Sequence, residues 1–228
     1  MLVIDASSLD VHDINTKIKN AISKGMKVKV RNADRVYGIA AGLAQGEVEI
    51  DGDVGDFVAM LIGTREQKEK GEPGPRITIN GNAGNYLADG AWNGEVVVKG
   101  NAGFGVGIYA YGGRIIVYGN AGDGVGQVLK GATIIINGDV GDEAGLYMVG
   151  GDIVIIGNAG KLLGNWMIRG RIFIGGEYES LGNNTREEIP SSDEREYLRK
   201  LLSKYDIAFN VGKFRKIVPL SVRPFYSR

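Results

Sequence analysis

Pairs of apolar β-branched residues separated by one position recur along the chain at Val48/Ile50, Ile77/Ile79, Val96/Val98, Ile115/Val117, Ile134/Ile136, Ile153/Ile155 and Ile172/Ile174. Alternation with period 2 predicts a strand with one buried face. Two residues past the first six pairs stands Gly-[Asn/Asp]-[Ala/Val]-Gly, beginning at Gly52, Gly81, Gly100, Gly119, Gly138 and Gly157. The last five starts are 19 residues apart. The first interval is 29, and its ten extra residues fall in the charged stretch around Thr64 to Gly74. A further step from Gly157 reaches Gly176, where the signature has decayed.

Other positions keep the same period. The third signature residue is Ala or Val, from Val54 to Ala159. Six past the first glycine come Val58, Leu87, Val106, Val125, Ala144 and Leu163, each followed by a small residue. Ten past it come Ile62, Ala91, Ala110, Leu129, Met148 and Met167. Nineteen residues cannot close a hydrophobic unit alone, but stacked coils can, with equivalent residues in rows. The coils lack the 3.6-residue period of helical repeats. The pattern predicts an all-β protein: a single-stranded, right-handed parallel β-helix of about 7–8 coils, the hand following the general preference of parallel connections. Glycine would turn the corners at positive φ, and the signature Asn/Asp would tolerate the left-handed region and bond along the stack.

The two ends read differently. Asp10 to Lys24 predicts an amphipathic helix with Ile14, Ile18, Ala21 and Ile22 on one face and Gly25 as its stop. Ser191 to Glu194 is a capping-box start leading to a helix with Leu198, Leu201, Leu202 and Tyr205 on its apolar side. Each helix is expected to cap an open end, with the last residues running back along the rod. The organisation expected is therefore 1–25 as N-terminal cap, 26–176 as β-helix with its insertion at 64–74 (a solvated bulge, the plainer reading, or a partner contact), and 177–228 as helix and extended tail.

Chemistry is sparse. Cysteine is absent and His12 is the one histidine among 228 residues, which excludes thiolate metal sites and cysteine nucleophiles. The expected catalytic, cofactor-binding and metal-ligating residues are therefore none. Gly103-Phe-Gly105-Val-Gly107 and Gly122-Asp-Gly124-Val-Gly126 match neither a dinucleotide fingerprint nor a phosphate loop, and read as corner glycines. Asp123 and Asp142 are one coil apart, and such a pair could share a proton or a cation in a carbohydrate-active β-helix. Solvated turn residues are the plainer reading. Positive and negative side chains balance at 27 each, which argues against nucleic-acid and membrane partners. The charge is uneven, however. From Arg195 onward there are nine Lys+Arg and two Asp+Glu, net +7, against −7 for the rest, as if a basic tail lay on an acidic body. No secretion signal or apolar membrane span is evident, so a cytoplasmic location is expected.

Outward positions are the best candidates for function. Three residues before each signature stand Glu49, Thr78, Val97, Ile116, Ile135, Val154 and, in the last coil, Phe173. The last five make an apolar stripe. Nine past the first glycine, Tyr109, Tyr147 and Trp166 belong to a partly aromatic row. Surface of this kind is normally covered. Either the chain's own C-terminal segment covers it, or it docks a partner, with Val97, Ile116, Ile135, Val154, Phe173, Tyr109, Tyr147 and Trp166 as candidate contacts. On the docking reading Ile135→Asp should weaken assembly and leave the fold intact.

The signature coils, the G-x-G-x-G runs, the opening IDASSLDVHDINTKIKNAISKG, the segment RVYGIAAGL and the closing FRKIVPLSVRPFY together resemble the C-terminal β-helix (GXGXG) domain of the glutamate synthase large subunit. The closing segment is similar to that of the stand-alone archaeal-type form. The resemblance implies a structural, non-catalytic subunit in glutamate biosynthesis. It would brace a glutamine amidotransferase partner and a synthase partner, the latter carrying the FMN and iron–sulfur cluster, with no cofactor on this chain. The repeat is shared with the β-helix subunit of formylmethanofuran dehydrogenase, which stays open as an alternative, as do a carbohydrate-active β-helix and a homo-oligomeric scaffold.

Overall fold

The structure, a computed structural model, describes residues 1–224. Nine four- or five-residue strands follow one another in the chain and in space: β1 (Leu2–Asp5), β2 (Val28–Arg31), β3 (Glu47–Asp51), β4 (Arg76–Ile79), β5 (Glu95–Val98), β6 (Arg114–Val117), β7 (Thr133–Ile136), β8 (Asp152–Ile155) and β9 (Arg171–Ile174). Each pairs in parallel with the next, so the chain is a β-solenoid of about eight turns. The register follows the repeat: Ile115 lies beside Ile134, and Ile134 beside Ile153. These three side chains are at most 1% exposed, in one interior file. A second file, Ala83–Ala102–Ala121–Val140–Ala159–Tyr178, is joined coil to coil by single bridges. Thus the third signature residue also faces inward.

The signature has a specific use. The Asn or Asp Oδ1 of one coil accepts the backbone N–H of its equivalent in the next. Asp53 takes that of Asn82, Asn82 that of Asn101, Asn101 that of Asn120, Asn120 that of Asp139 and Asp139 that of Asn158, at 2.7–2.8 Å. A ladder of this kind satisfies N–H groups that a corner would otherwise orphan. It also fixes the glycine that precedes each rung, since a Cβ on Gly119 would lie 2.3 Å from Asn101 Oδ1. The left-handed conformation expected for these Asn and Asp residues is absent; positive φ falls further along each coil.

At the N-terminal end the sequence expectation holds. Helix α1 (Val11–Ile22), N-capped by Asp10, buries Ile14, Ile18, Ala21 and Ile22 against the first coils. Asn15 stitches it down, donating to the Gly38 carbonyl at 2.9 Å and accepting from the Ala40 N–H at 2.8 Å. The insertion is a solvated bulge, as expected, with no buried residue, and it is ordered. It forms α2 (Arg65–Lys70), with a Thr64/Gln67 capping box and Gly71 left-handed at its C-cap. Gln67 Nε2 reaches the Ala44 carbonyl, and Asn93 Nδ2 the Glu72 carbonyl.

The C-terminal end departs from expectation in two ways. β11 (Arg215–Pro219) does not run along the rod. It adds to β9 antiparallel, placing Ile217 beside Ile172, and β10 (Thr185–Glu188) pairs antiparallel outside it. Ile217, fully buried, completes the last core layer. Helix α3 (Ser192–Lys204) does not cap the end but lies on the outer face of the sheet, over β5 to β9.

Candidate functional site

Three features were candidates for function: the outward stripe, the aromatic row and the aspartate pair. The stripe is corrected as a partner surface. Val97, Ile116, Ile135, Val154 and Phe173 are 0–4% exposed, and they form a second core with Leu198, Leu201 and Leu202 of α3 and with Tyr205, Ile207, Val211 and Phe214 after it. The physical reason is a match of lengths. Thirteen helical residues span about 20 Å, and five strands at about 4.8 Å spacing span about 19 Å. One helix lying across the strands therefore covers the whole stripe.

Polar side chains set the helix in place at both ends. Glu194, 3.4 Å from Arg171 Nη1 on β9, also takes an ion pair from Lys216 on β11 at 3.1 Å. The Tyr197 hydroxyl donates to Asp152 Oδ2 at 2.9 Å, and Arg171 grips the same carboxylate with two bonds of 2.8 Å. At the far end Tyr205 O–H and Lys204 Nζ both reach Glu95 Oε2, at 2.7 and 2.9 Å. Burial raises the Glu95 and Glu194 carboxyls, but their hydrogen bonds and cations outweigh it and hold both below the usual range. Burial, then the Asp152 charge, pushes the Tyr197 phenol up to about 12. Ion pairs from Lys204 and Arg215 to Glu95 and Glu177 fit the expectation of a basic tail on an acidic body.

The aromatic row, unlike the stripe, stays at the surface. Leu61, Tyr109 and Tyr147 are 51%, 47% and 41% exposed; Val128 and Trp166 in the same row are half-buried. All five have positive φ, between 52° and 56°. Left-handed backbone costs a residue with a Cβ about 1–2 kcal/mol, and for β-branched Val128 it is a true outlier. Two positions earlier in each coil the backbone is also left-handed, but there Ala or Gly fills it (Ala59, Ala88, Gly107, Gly126). Those residues face the core, where a Cβ on Gly126 would lie 2.5 Å from Ile153 Cδ1.

Beside this row lies one that the repeat pattern did not disclose. Trp92 and Tyr111 stack with ring centroids 3.9 Å apart and planes 7° from parallel. Lys130 Nζ, one coil on, is 4.2 Å from the Tyr111 ring centre and 2.7 Å from its hydroxyl. Lys68 of α2 donates to the Tyr111 carbonyl. Trp92, Tyr111 and Lys130 each stand eleven residues past a signature glycine. Their variety hides the register, since only stacked coils bring a Trp, a Tyr and a Lys into one column.

The aspartate pair is a backbone device. Asp123 Oδ1 accepts the Asp142 N–H at 2.8 Å, and Asp142 Oδ1 the Lys161 N–H at 2.7 Å, in a second ladder like the first. No cluster of His, Asp and Glu among the described residues has the geometry of a metal site. His12 is exposed on α1.

A solenoid of glycine-signature coils, with a helix on one end and a helix on one face, defines a class of β-solenoid domain by its rungs rather than by a catalytic cleft. Comparison with known families places the chain in that class by sequence: residues 9–219 match the GXGXG motif family, which is the family of the glutamate synthase large-subunit domain. The chain belongs to that family. No individual curated protein matches the sequence.

Proposed function

We propose that the chain is a non-catalytic structural subunit of a glutamate synthase of the stand-alone type. In this reading it braces a glutamine amidotransferase chain and a synthase chain that carries the FMN and iron–sulfur cluster, in the cytoplasm. The carrying observation is the family match, which runs beyond the coils through α1, α3 and β11. The residue chemistry supports it. The chain has no cysteine to ligate iron or act as a glutaminase nucleophile. The carboxylates of the signature, Asp53 and Asp139, and those of the second ladder, Asp123 and Asp142, are committed as acceptors for backbone N–H groups.

Purification of the tagged chain from its native source tests the reading. A flavin- and iron-containing chain and a glutaminase-like chain should be recovered with it, in fixed ratio. Recovery of a molybdenum or tungsten enzyme instead would transfer the chain to the formylmethanofuran dehydrogenase branch. Polysaccharide cleavage by the purified chain, lost in Asp123→Ala, would replace both readings.

A further inference from the structure

The geometry points to a second copy of this chain as the occupant of the exposed aromatic row, packed face to face about a two-fold axis that runs along the stacking direction. The inference does not depend on which enzyme the chain serves. Three observations carry it. First, the row recurs along the stack: Leu61, Tyr109, Val128, Tyr147 and Trp166 stand at one position of the coil, broken at Gly90 between the first two, with large apolar side chains on backbone that glycine would adopt more easily. Second, the charges around it are sorted. In the order of the coil, the row is preceded by Asp123, Asp142 and Glu143, with Lys161 at the next rung offset by its ion pair to Glu179, and followed by Lys130 and Arg169, with Lys68 of α2 reaching to the same side. None of the other six has an ion pair within the chain among the described residues. Third, the size is adequate. Five coil steps of about 4.8 Å by at most eight extended residues give about 600 Å² a copy, or about 1,200 Å² in all, the low end for a stable pair.

The sorted charges choose the axis. A two-fold axis along the solenoid exchanges left and right of the face, so each cationic margin meets the acidic margin of the other copy. An axis across the coils would set cation against cation. The two solenoids therefore lie parallel, with Tyr109 and Tyr147 as central anchors.

Sedimentation equilibrium of the full chain, from micromolar to hundreds of micromolar, is the experiment. A concentration-dependent dimer is expected. Tyr109→Gly/Tyr147→Gly should raise its dissociation constant at least about tenfold with the fold intact, because glycine suits both left-handed positions. Lys130→Glu and Glu143→Lys should each weaken the dimer, and the two together should recover at least half of the lost affinity. A monomer at every concentration overturns the proposal and leaves the row to a different chain. So does a dimer indifferent to the glycine pair, or a double charge reversal no tighter than either single one.

Discussion

The outer face of the sheet is two surfaces built on one backbone. At the position three before each signature, or its strand equivalent, β1 to β4 carry Val3, Lys29, Glu49 and Thr78, whereas β5 to β9 carry Val97, Ile116, Ile135, Val154 and Phe173. The first half is left to solvent and knits itself together. Lys29 lies 3.2 Å from Glu49 and 3.1 Å from Asp51, and Asn80 bonds both carboxylates. The second half recruits a helix. A single column of side chains thus decides where the solenoid ends as a protein surface and where it becomes an internal layer, and α3 stops at β5, where Glu95 receives its last residue and Tyr205.

The sharpest way to break this contrast is to put charge under the helix. Ile135→Asp should destabilise the protein by about 4 kcal/mol or more, since an unpaired carboxylate would sit where the side chain is fully buried. Denaturant unfolding measures it. This reverses the expectation drawn from the sequence, which placed Ile135 at the surface. A loss under about 1 kcal/mol would mean that α3 readily leaves the face. The same change at Thr78, in the uncovered half, should have a small effect.

Removing the helix's own contribution comes next. Leu198 is fully buried in the second core, and Leu198→Ala should cost about 2–5 kcal/mol, as large-to-small changes in packed cores do. If α3 is only loosely attached, the loss will be smaller, and amide exchange will show α3 opening without β5 to β9.

The reason these predictions differ from a reading of the sequence is physical. The interior files were legible because stacking forces one residue type into one column, and a fixed 19-residue period cannot hide that. The outward stripe was legible as apolar surface needing a cover, and the C-terminal segment was one of two covers it allowed, but the choice between them was not legible, because a helix's apolar side does not state which sheet face it meets. β11 was misread for want of any period in the tail. Its antiparallel pairing depends on Ile217 falling beside Ile172 after a helix and a turn, which no local pattern encodes. The left-handed row was hidden by its residues: Tyr, Val and Trp normally argue against positive φ.

The latch at the ends of α3 should be the third effect in size. Tyr205→Phe removes one bond to Glu95 and should cost about 1 kcal/mol. pH gives the same information by another route. The Glu95 and Glu194 carboxyls are lower in the folded chain than their free value of 4.5. Their contribution is therefore complete above that value and fades as pH falls through the folded-state range. Tyr197 works in the opposite sense. Its proton is held from the ordinary 10.0 to about 12, so its share is complete below 10 and is lost as pH climbs toward 12. Acid and alkali should loosen α3 before the solenoid, and near- and far-ultraviolet dichroism followed with pH would separate the two.

The smallest effect belongs to the half that solvent keeps. Lys29→Met removes the cation between Glu49 and Asp51 and leaves Asn80 to hold both carboxylates. The pairs lie on the solvent face with both carboxylates partly open to water, and such pairs lose most of their strength to water and salt, so the thermal midpoint should move little, and any shift should shrink at high ionic strength. A large, salt-insensitive loss would mean that the polar half is held as firmly as the half beneath α3. It would then follow that some other layer covers β1 to β4 in the working protein. A negligible loss leaves the division as drawn, with the apolar column of β5 to β9 as the part of the outer face that cannot stand in water.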